Sequence, residues 1–162
     1  MKIDGNYLIK LLGSSLMDNQ IIETIDALGL EQPIVDEESE FYGQTSTKDT
    51  KDVGVDLTFY NLDTCPDINI ACLDKIGWSH DKTVKLPFQL KYSFSYIECC
   101  ETLGKQAEYQ DKRRGSSKVW VLNEKYLLFI HFKNVNLSEK RSIVILGYRD
   151  KVLSRYEIIN KD

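Results

Sequence analysis

The chain has 162 residues, of which 42% are apolar, so it is long enough to bury a core of its own, and this composition excludes wholesale disorder. No apolar run approaches the roughly 20 residues that a membrane-spanning helix needs, and no secretory signal is evident, so we expect a cytoplasmic protein without a membrane segment. The net charge of −4 is unevenly distributed along the chain. Residues 1–81 carry 5 basic and 16 acidic side chains, whereas residues 82–162 carry 16 basic and 9 acidic side chains. Such a charge separation can steer a charged partner.

Helical spacing of apolar residues predicts two helices near the start of the chain. The first covers residues 7–13, and the second begins after Asp18, which can cap its N-terminus, and ends at Gly29. A polar and acidic stretch follows. Beyond it we expect a strand at residues 55–60, where apolar and polar residues alternate, and another at residues 68–73.

The same order of elements recurs in the second half. Ser95 and Glu98 have the spacing of a capping box, which predicts a helix that ends at Gly104. Three strands are then expected, at residues 119–122, 126–132 and 142–146. Residues 151–162 form a C-terminal extension that is apolar enough to dock as a further strand.

The two halves align at nearly one offset. A shift of 75 positions places Ile22 on Ile97, and a shift of 73 places Phe59 on Phe132. The shift of 75 also aligns three further pairs, Leu28-Gly29 with Leu103-Gly104, Ile68 with Ile143 and Ile70 with Ile145. A duplicated unit accounts for this, because one such unit alone could not cover its own sheet. The alternative is a chance recurrence of helix, strand and strand in an ordinary α+β domain.

The predicted fold class is therefore α+β, a tandem repeat of a helix pair plus an antiparallel β-sheet, with the helices on one face of the sheet. Residues 1–80 form the first α+β unit. Residues 81–162 form the second unit and include the C-terminal extension. We expect the two units to share one compact structural domain.

The cysteines and histidines give no sign of a metal or a cofactor. Four cysteines, at positions 65, 72, 99 and 100, lie in apolar segments, and we expect buried free thiols that pack as small hydrophobic side chains. No Cys-x-x-Cys pair occurs, and His80 and His131 are far apart in sequence. We therefore expect neither a metal site nor a cofactor.

Local signatures of catalysis are also missing. The sequence contains no phosphate-binding loop, dinucleotide-binding motif, zinc-protease motif or hydrolase nucleophile elbow. His131 falls within a predicted strand and His80 within a polar connector, so neither has an evident nucleophile beside it. We expect a protein that is not an enzyme, and a small enzyme without a local motif is one alternative.

An acidic run followed by aromatic residues is the first candidate for partner binding. The acidic run consists of Asp36, Glu37, Glu38 and Glu40, and the aromatic residues are Phe41, Tyr42 and, from the strand at 55–60, Tyr60. Exposed charges accelerate encounter and aromatic side chains supply binding energy, so this surface favours a basic partner. The alternative is a solvated acidic loop.

Two further surfaces are candidates. Strand alternation puts Leu127, Phe129 and His131 on the face of the sheet away from the helices. This apolar face either is covered by the C-terminal extension or by the other unit, or it binds a partner or a second copy of the chain. A basic loop around Arg113 and Arg114 can bind phosphates, which favours a nucleic-acid-binding or regulatory module as an alternative function. Because the chain is acidic overall, we do not expect nucleic acid to be its main partner.

The pattern as a whole resembles a group of bacterial immunity proteins. Helix pairs that end in Leu-Gly, the connector Leu86-Pro87-Phe88-Gln89-Leu90 and a strand with Trp120 before an aromatic strand carry the resemblance, which extends over residues 7–148. The order of elements is also similar to that of the β-lactamase inhibitor protein.

The resemblance implies a role and not a set of binding residues. Such proteins act in bacterial competition and neutralise toxins of polymorphic or contact-dependent growth inhibition systems. They bind the toxin domain tightly, one to one, and block its active site. The expected partner is thus a cognate toxin. The acidic run indicates that this toxin is cationic, for example a basic nuclease. We expect the chain to bind it as a monomer or a weak homodimer.

Overall fold

The computed structural model describes residues 2–33, 53–60, 71–113, 115–134, 136–147 and 149–159. Within these residues the fold is α+β. The helices are Gly5–Lys10 (α1), Asn19–Ala27 (α2), Tyr96–Leu103 (α3) and Asp150–Leu153 (α4), with a short 3₁₀ helix at Pro87–Gln89. The strands are Val55–Tyr60 (β1), Cys72–Trp78 (β2), Tyr109–Asp111 (β3), Ser117–Leu122 (β4), Tyr126–Phe132 (β5), Lys140–Gly147 (β6) and Tyr156–Ile158 (β7).

Side-chain caps fix where α2 and α3 begin, as the sequence predicts. The Asp18 carboxylate accepts a hydrogen bond of 2.8 Å from the backbone N–H of Gln20 at the start of α2. At α3, Ser95 and Glu98 form the expected capping box, and Gly104 ends the helix in the left-handed conformation with a φ of 71°. None of the helices in the described part of the chain combines the length and apolar character needed to cross a bilayer.

The seven strands form one antiparallel sheet in the order β1-β2-β6-β5-β4-β3-β7. The pairing of β2 with β6, in which Ile76 faces Ile145 and Trp78 faces Ile143, joins the two halves of the chain. β7 pairs with β3, so the predicted docking of the C-terminal extension as a strand is confirmed. The division into units at residue 80 stays a prediction.

The duplication predicted at an offset of 75 is not confirmed. The offset relates α2 to α3, but it carries β2 onto residues 147–153, which contain the end of β6 and all of α4. The strand expected at residues 68–73 is observed at Cys72–Trp78, because the buried residues Ile76 and Trp78 continue it, and Ile68 and Ile70 lie outside the described residues.

Two hydrophobic clusters lie on opposite faces of the sheet. The larger cluster combines residues from α1, α2 and α3 with alternate strand residues, among them Leu8, Ile25, Cys99, Leu57, Trp120 and Ile145. The smaller one contains Val119, Leu127, Phe129, Leu146 and Leu153. Leu153 belongs to α4, and the prediction that the helices lie on one face of the sheet is not confirmed.

The cysteines differ from the expectation of four free thiols. Cys99 and Cys100 are free, and burial raises the pKa of the Cys99 thiol to about 11. Cys72 is disulfide-bonded, so the expectation is wrong there, and its partner lies outside the described residues. Disulfide formation depends on the distance between Cβ atoms in the fold, which the apolar pattern of the sequence does not show.

Candidate functional site

An open groove of about 590 Å³ lies on the face of the sheet opposite α1, α2 and α3. Its floor is apolar and consists of Phe129 from β5 with Val144 and Leu146 from β6. The remaining lining residues come from β1, β2 and β5 and from the segment that follows β6, and they are Tyr60, Asp74, Lys75, His131, Arg149, Lys151, Val152, Arg155 and Tyr156.

Strand alternation and the C-terminal extension together produce the groove. Leu127 and Phe129 point to this face because Leu128 and Ile130, their neighbours in β5, point to the helix-side core. The extension covers part of the face, with Leu153 buried in the smaller cluster and the Tyr156 ring 5.3 Å from the Phe129 ring. The groove lies beside this cover, where the sheet face is left open.

The lining of the groove is strongly cationic. Four basic side chains, Lys75, Arg149, Lys151 and Arg155, face a single carboxylate, that of Asp74. The Asp74 side chain is 4% exposed and pairs with Arg149 at 2.7 Å and with Lys75 at 4.0 Å. The lining thus has a net charge of +3 when His131 is neutral, in a chain whose overall charge is −4.

A β-bulge explains why a carboxylate lies in this apolar strand. Thr58 pairs with Lys75 and Phe59 pairs with Leu73, so Asp74 is an extra residue without a partner on β1. A bulge redirects a side chain out of the regular alternation. Asp74 and Arg149 also line a second cavity of about 360 Å³, so their ion pair lies between the two cavities.

Tyr60 and Lys75 form the side of the groove nearest β1. The Lys75 ammonium lies 5.0 Å from the centroid of the Tyr60 ring, a distance at which a cation and an aromatic face attract one another. With Phe129 and Tyr156, Tyr60 gives the groove three aromatic rings beside its four cations. The groove can therefore contact an apolar surface and an anion at the same time.

His131 at the groove is held by its neighbour on β4. Its Nδ1 atom lies 2.7 Å from the Ser117 hydroxyl oxygen, and its ring stacks on Phe129 with centroids 6.5 Å apart. The Asp111 carboxylate accepts a hydrogen bond of 2.8 Å from the backbone N–H of Ser117. A hydroxyl beside an imidazole has the arrangement of a nucleophile and its general base, and this contact is the structural candidate for the small-enzyme alternative.

We predict that protonation of His131 destabilises the fold. Burial lowers the pKa of His131 below its usual range, against an opposing effect of the Asp111 carboxylate. The unfolded chain therefore takes up this proton at a higher pH than the folded chain, so stability should fall as the pH is lowered through about 6.5. Urea unfolding at pH 7.5 and 5.5 should show a smaller loss for His131→Gln than for the wild type, and equal losses would contradict the prediction.

The structure describes only part of the predicted binding surface. Tyr60 lies at the groove. Leu127 is fully buried beneath the C-terminal extension and is not available for contact, whereas Phe129 and His131 line the groove. The acidic run of Asp36, Glu37, Glu38 and Glu40, together with Phe41 and Tyr42, lies outside the described residues, so its role stays a prediction.

The basic loop lies close to the C-terminal extension. The Lys112 ammonium donates a hydrogen bond of 3.2 Å to the backbone carbonyl of Ser154, which follows α4. The backbone N–H of Arg113 donates to the Asp111 carboxylate, and Arg114 lies outside the described residues. The loop is thus tied to the segment that carries Arg155.

Sequence reasoning missed the residues that give the groove its charge. Arg149 lies just before the C-terminal extension, Lys151 and Arg155 lie within it, and this close spacing is the signal that the sequence offers. Asp74 and Lys75 interrupt an otherwise apolar strand, and such a charged pair inside a buried strand indicates a bulge or a site. Neither signal says which side chains meet.

Comparison of the chain with protein-family models, with curated proteins and with solved structures finds no match. The resemblance to immunity proteins therefore stays a prediction from the sequence pattern. No group of three or more histidine, cysteine, aspartate or glutamate side chains suited to a metal ion occurs among the residues that the structure describes.

Proposed function

We propose that this chain is a bacterial immunity protein that binds a cognate toxin domain and blocks its active site, with the groove as part of the contact surface. The observation that supports it best is the groove lining, which joins an apolar floor to tyrosine and arginine side chains. Tyrosine and arginine are enriched among the few residues that dominate binding energy at protein interfaces. A partner protein can use both parts of this surface.

The proposal includes features that rest on the sequence alone. The chain would be a tandem repeat of helix pair and antiparallel sheet, similar to the β-lactamase inhibitor protein, acting without a cofactor or catalysis as a monomer or weak homodimer. The acidic run would accelerate association with a cationic toxin. A cytoplasmic location is part of the proposal, although the disulfide at Cys72 is more typical of oxidising compartments.

The test is inhibition by a stoichiometric complex. The toxin is sought as the variable C-terminal domain of a large secreted protein encoded beside this gene, and it is titrated with the purified chain. We expect full inhibition at one equivalent, without turnover of the toxin or its substrate by the chain itself. Inhibition that needs far less than one equivalent would favour the small-enzyme alternative, and no binding at all would contradict the proposal.

The part played by the groove in this complex can be tested with Tyr60→Ala. Loss of a buried aromatic contact costs about 2 kcal/mol at an interface hot spot, and it acts mainly on the dissociation rate. We therefore expect faster dissociation for Tyr60→Ala in surface plasmon resonance. Lys82→Ala, an exposed position outside the groove lining, is the matched control and should dissociate at the wild-type rate.

A nucleic-acid-binding module is the second candidate function. It is supported by the contact between Lys112 and Ser154, which brings the basic loop and Arg155 onto neighbouring parts of the surface. Binding of single-stranded and double-stranded oligonucleotides should then weaken steeply between 50 and 200 mM salt, because phosphate contacts release counterions. No measurable binding at the lower salt concentration would remove this candidate.

A further inference from the structure

The charge of the groove selects the kind of surface that fits it. The lining has three more cations than carboxylates, and the one carboxylate, Asp74, is buried and already paired with Arg149. A basic contact surface would meet unpaired like charges there, and like charges across an interface are strongly disfavoured. A complementary surface must carry carboxylates or other anions.

The cations of the groove fall into two groups. Arg149 and Lys75 are held by Asp74 at one part of the lining. Lys151 and Arg155 are exposed on the C-terminal extension, and neither forms an ion pair with another described residue. Lys151 and Arg155 are therefore available to an incoming anion without the loss of an existing pair.

The floor of the groove distinguishes a peptide from a bare polyanion. Val144 is half-buried and supplies most of the exposed apolar surface of the floor, and the almost fully buried Phe129 and Leu146 border it, so a side chain resting there meets an apolar surface. The phosphate backbone of a nucleic acid offers negative charge to the cations of the groove but no aliphatic group to this floor. An acidic segment with an apolar residue between its carboxylates offers both.

We propose that the groove binds an acidic segment of the partner protein, with carboxylates at Lys151 and Arg155 and an apolar side chain on Phe129, Val144 and Leu146. This inference rests on the proposed function and names the chemistry of the contact. The acidic run favours a basic partner surface, whereas the groove favours an acidic one, because here the chain supplies the cations. An acidic run and a cationic groove on one chain can contact different parts of the same toxin.

The first experiment uses a defined probe. A fluorescein-labelled hexapeptide, Asp-Glu-Leu-Phe-Glu-Asp, is titrated up to millimolar concentration and followed by fluorescence anisotropy. The same peptide with every carboxylate changed to its amide, and a thymidine dodecamer, are the competitors. We expect the acidic peptide to bind and to weaken with added salt, and the amide peptide to bind at least tenfold more weakly. No binding of the acidic peptide would overturn the proposal, and binding of a fluorescein-labelled thymidine dodecamer in its place would favour nucleic acid.

The second experiment separates the groove from the function. The double variant Lys151→Glu with Arg155→Glu is compared with Lys82→Glu with Lys133→Glu, which changes the net charge equally at exposed positions outside the groove lining. We expect the groove variant to bind both peptide and toxin at least tenfold more weakly, and the control to stay within twofold of the wild type.

The outcomes for the toxin distinguish the two proposals. If the toxin is inhibited equally well by both double variants, the groove inference is wrong and the immunity function stands. If the peptide binds through Lys151 and Arg155 but the chain neutralises no toxin, the groove chemistry is supported and the immunity function is wrong. Unchanged circular dichroism spectra for both variants exclude misfolding as the cause.

Discussion

Replacement of Lys140 by methionine is expected to lower the free energy of unfolding by about 3 kcal/mol. The side chain lies in β6 but is buried, and its ammonium donates hydrogen bonds to the backbone carbonyls of Lys91, Tyr92 and Phe94. Methionine has a similar length and no donor, so the three carbonyls lose their partner in a place where water has little access. The gain from no longer burying a charge offsets only part of this loss.

The matched control for this prediction is Lys133→Met. Lys133 is exposed and forms an ion pair of 3.9 Å with Glu139, and such surface pairs contribute less than about 1 kcal/mol. Urea unfolding followed by tryptophan fluorescence gives both free energies. Equal effects of the two substitutions would mean that Lys140 does not anchor the segment of residues 91–94 to β6.

Substitution of Gly5 by alanine is expected to destabilise the protein by about 2 kcal/mol, although alanine is the better helix former by about 1 kcal/mol. A Cβ atom at this first residue of α1 would lie 2.4 Å from the ring and the backbone nitrogen of Pro87. The backbone N–H of Gly5 also donates a hydrogen bond of 2.7 Å to the carbonyl of Lys85, which holds the two segments at this distance. Relief of the clash must therefore move backbone.

Gly147→Ala serves as the control for Gly5→Ala. A Cβ atom at Gly147 meets nothing within 4 Å, and the backbone there is not in the left-handed region. A change of less than about 0.5 kcal/mol is expected for it. A melting temperature for Gly5→Ala at or above that of the wild type would show that Pro87 can move at little cost.

Elements whose signals are local were predictable from the sequence. Asp18, Ser95 and Gly104 define helix ends through bonds to residues within a few positions, and the alternation in β1 and β5 gives each strand its buried face. In these places each residue responds to neighbours that the sequence already shows. The bounds of β5 are the clearest case, since residues 126–132 were expected and observed.

Features that depend on distant segments were not predictable in this way. The bulge at Asp74 follows from how β1 and β2 pair, and the pairing of β2 with β6 follows from the whole sheet. The groove needs the extension to cover Leu127 while it leaves Val144 partly open, and this depends on where α4 lies on the sheet. The sequence shows that Arg149 and Arg155 are charged, but it does not show onto which surface of the fold they project.

The pairing of β2 with β6 has a consequence for folding kinetics. Trp78 pairs with Ile143 from a distant part of the chain, and such long-range contacts slow folding because the entropy of loop closure is lost before the contact forms. Until then β2, in which every residue but Lys75 is buried in the final fold, presents an unpaired apolar edge. Such an edge can pair with a strand of another molecule. Refolding of this protein should therefore compete with aggregation, with a yield that falls as the protein concentration rises.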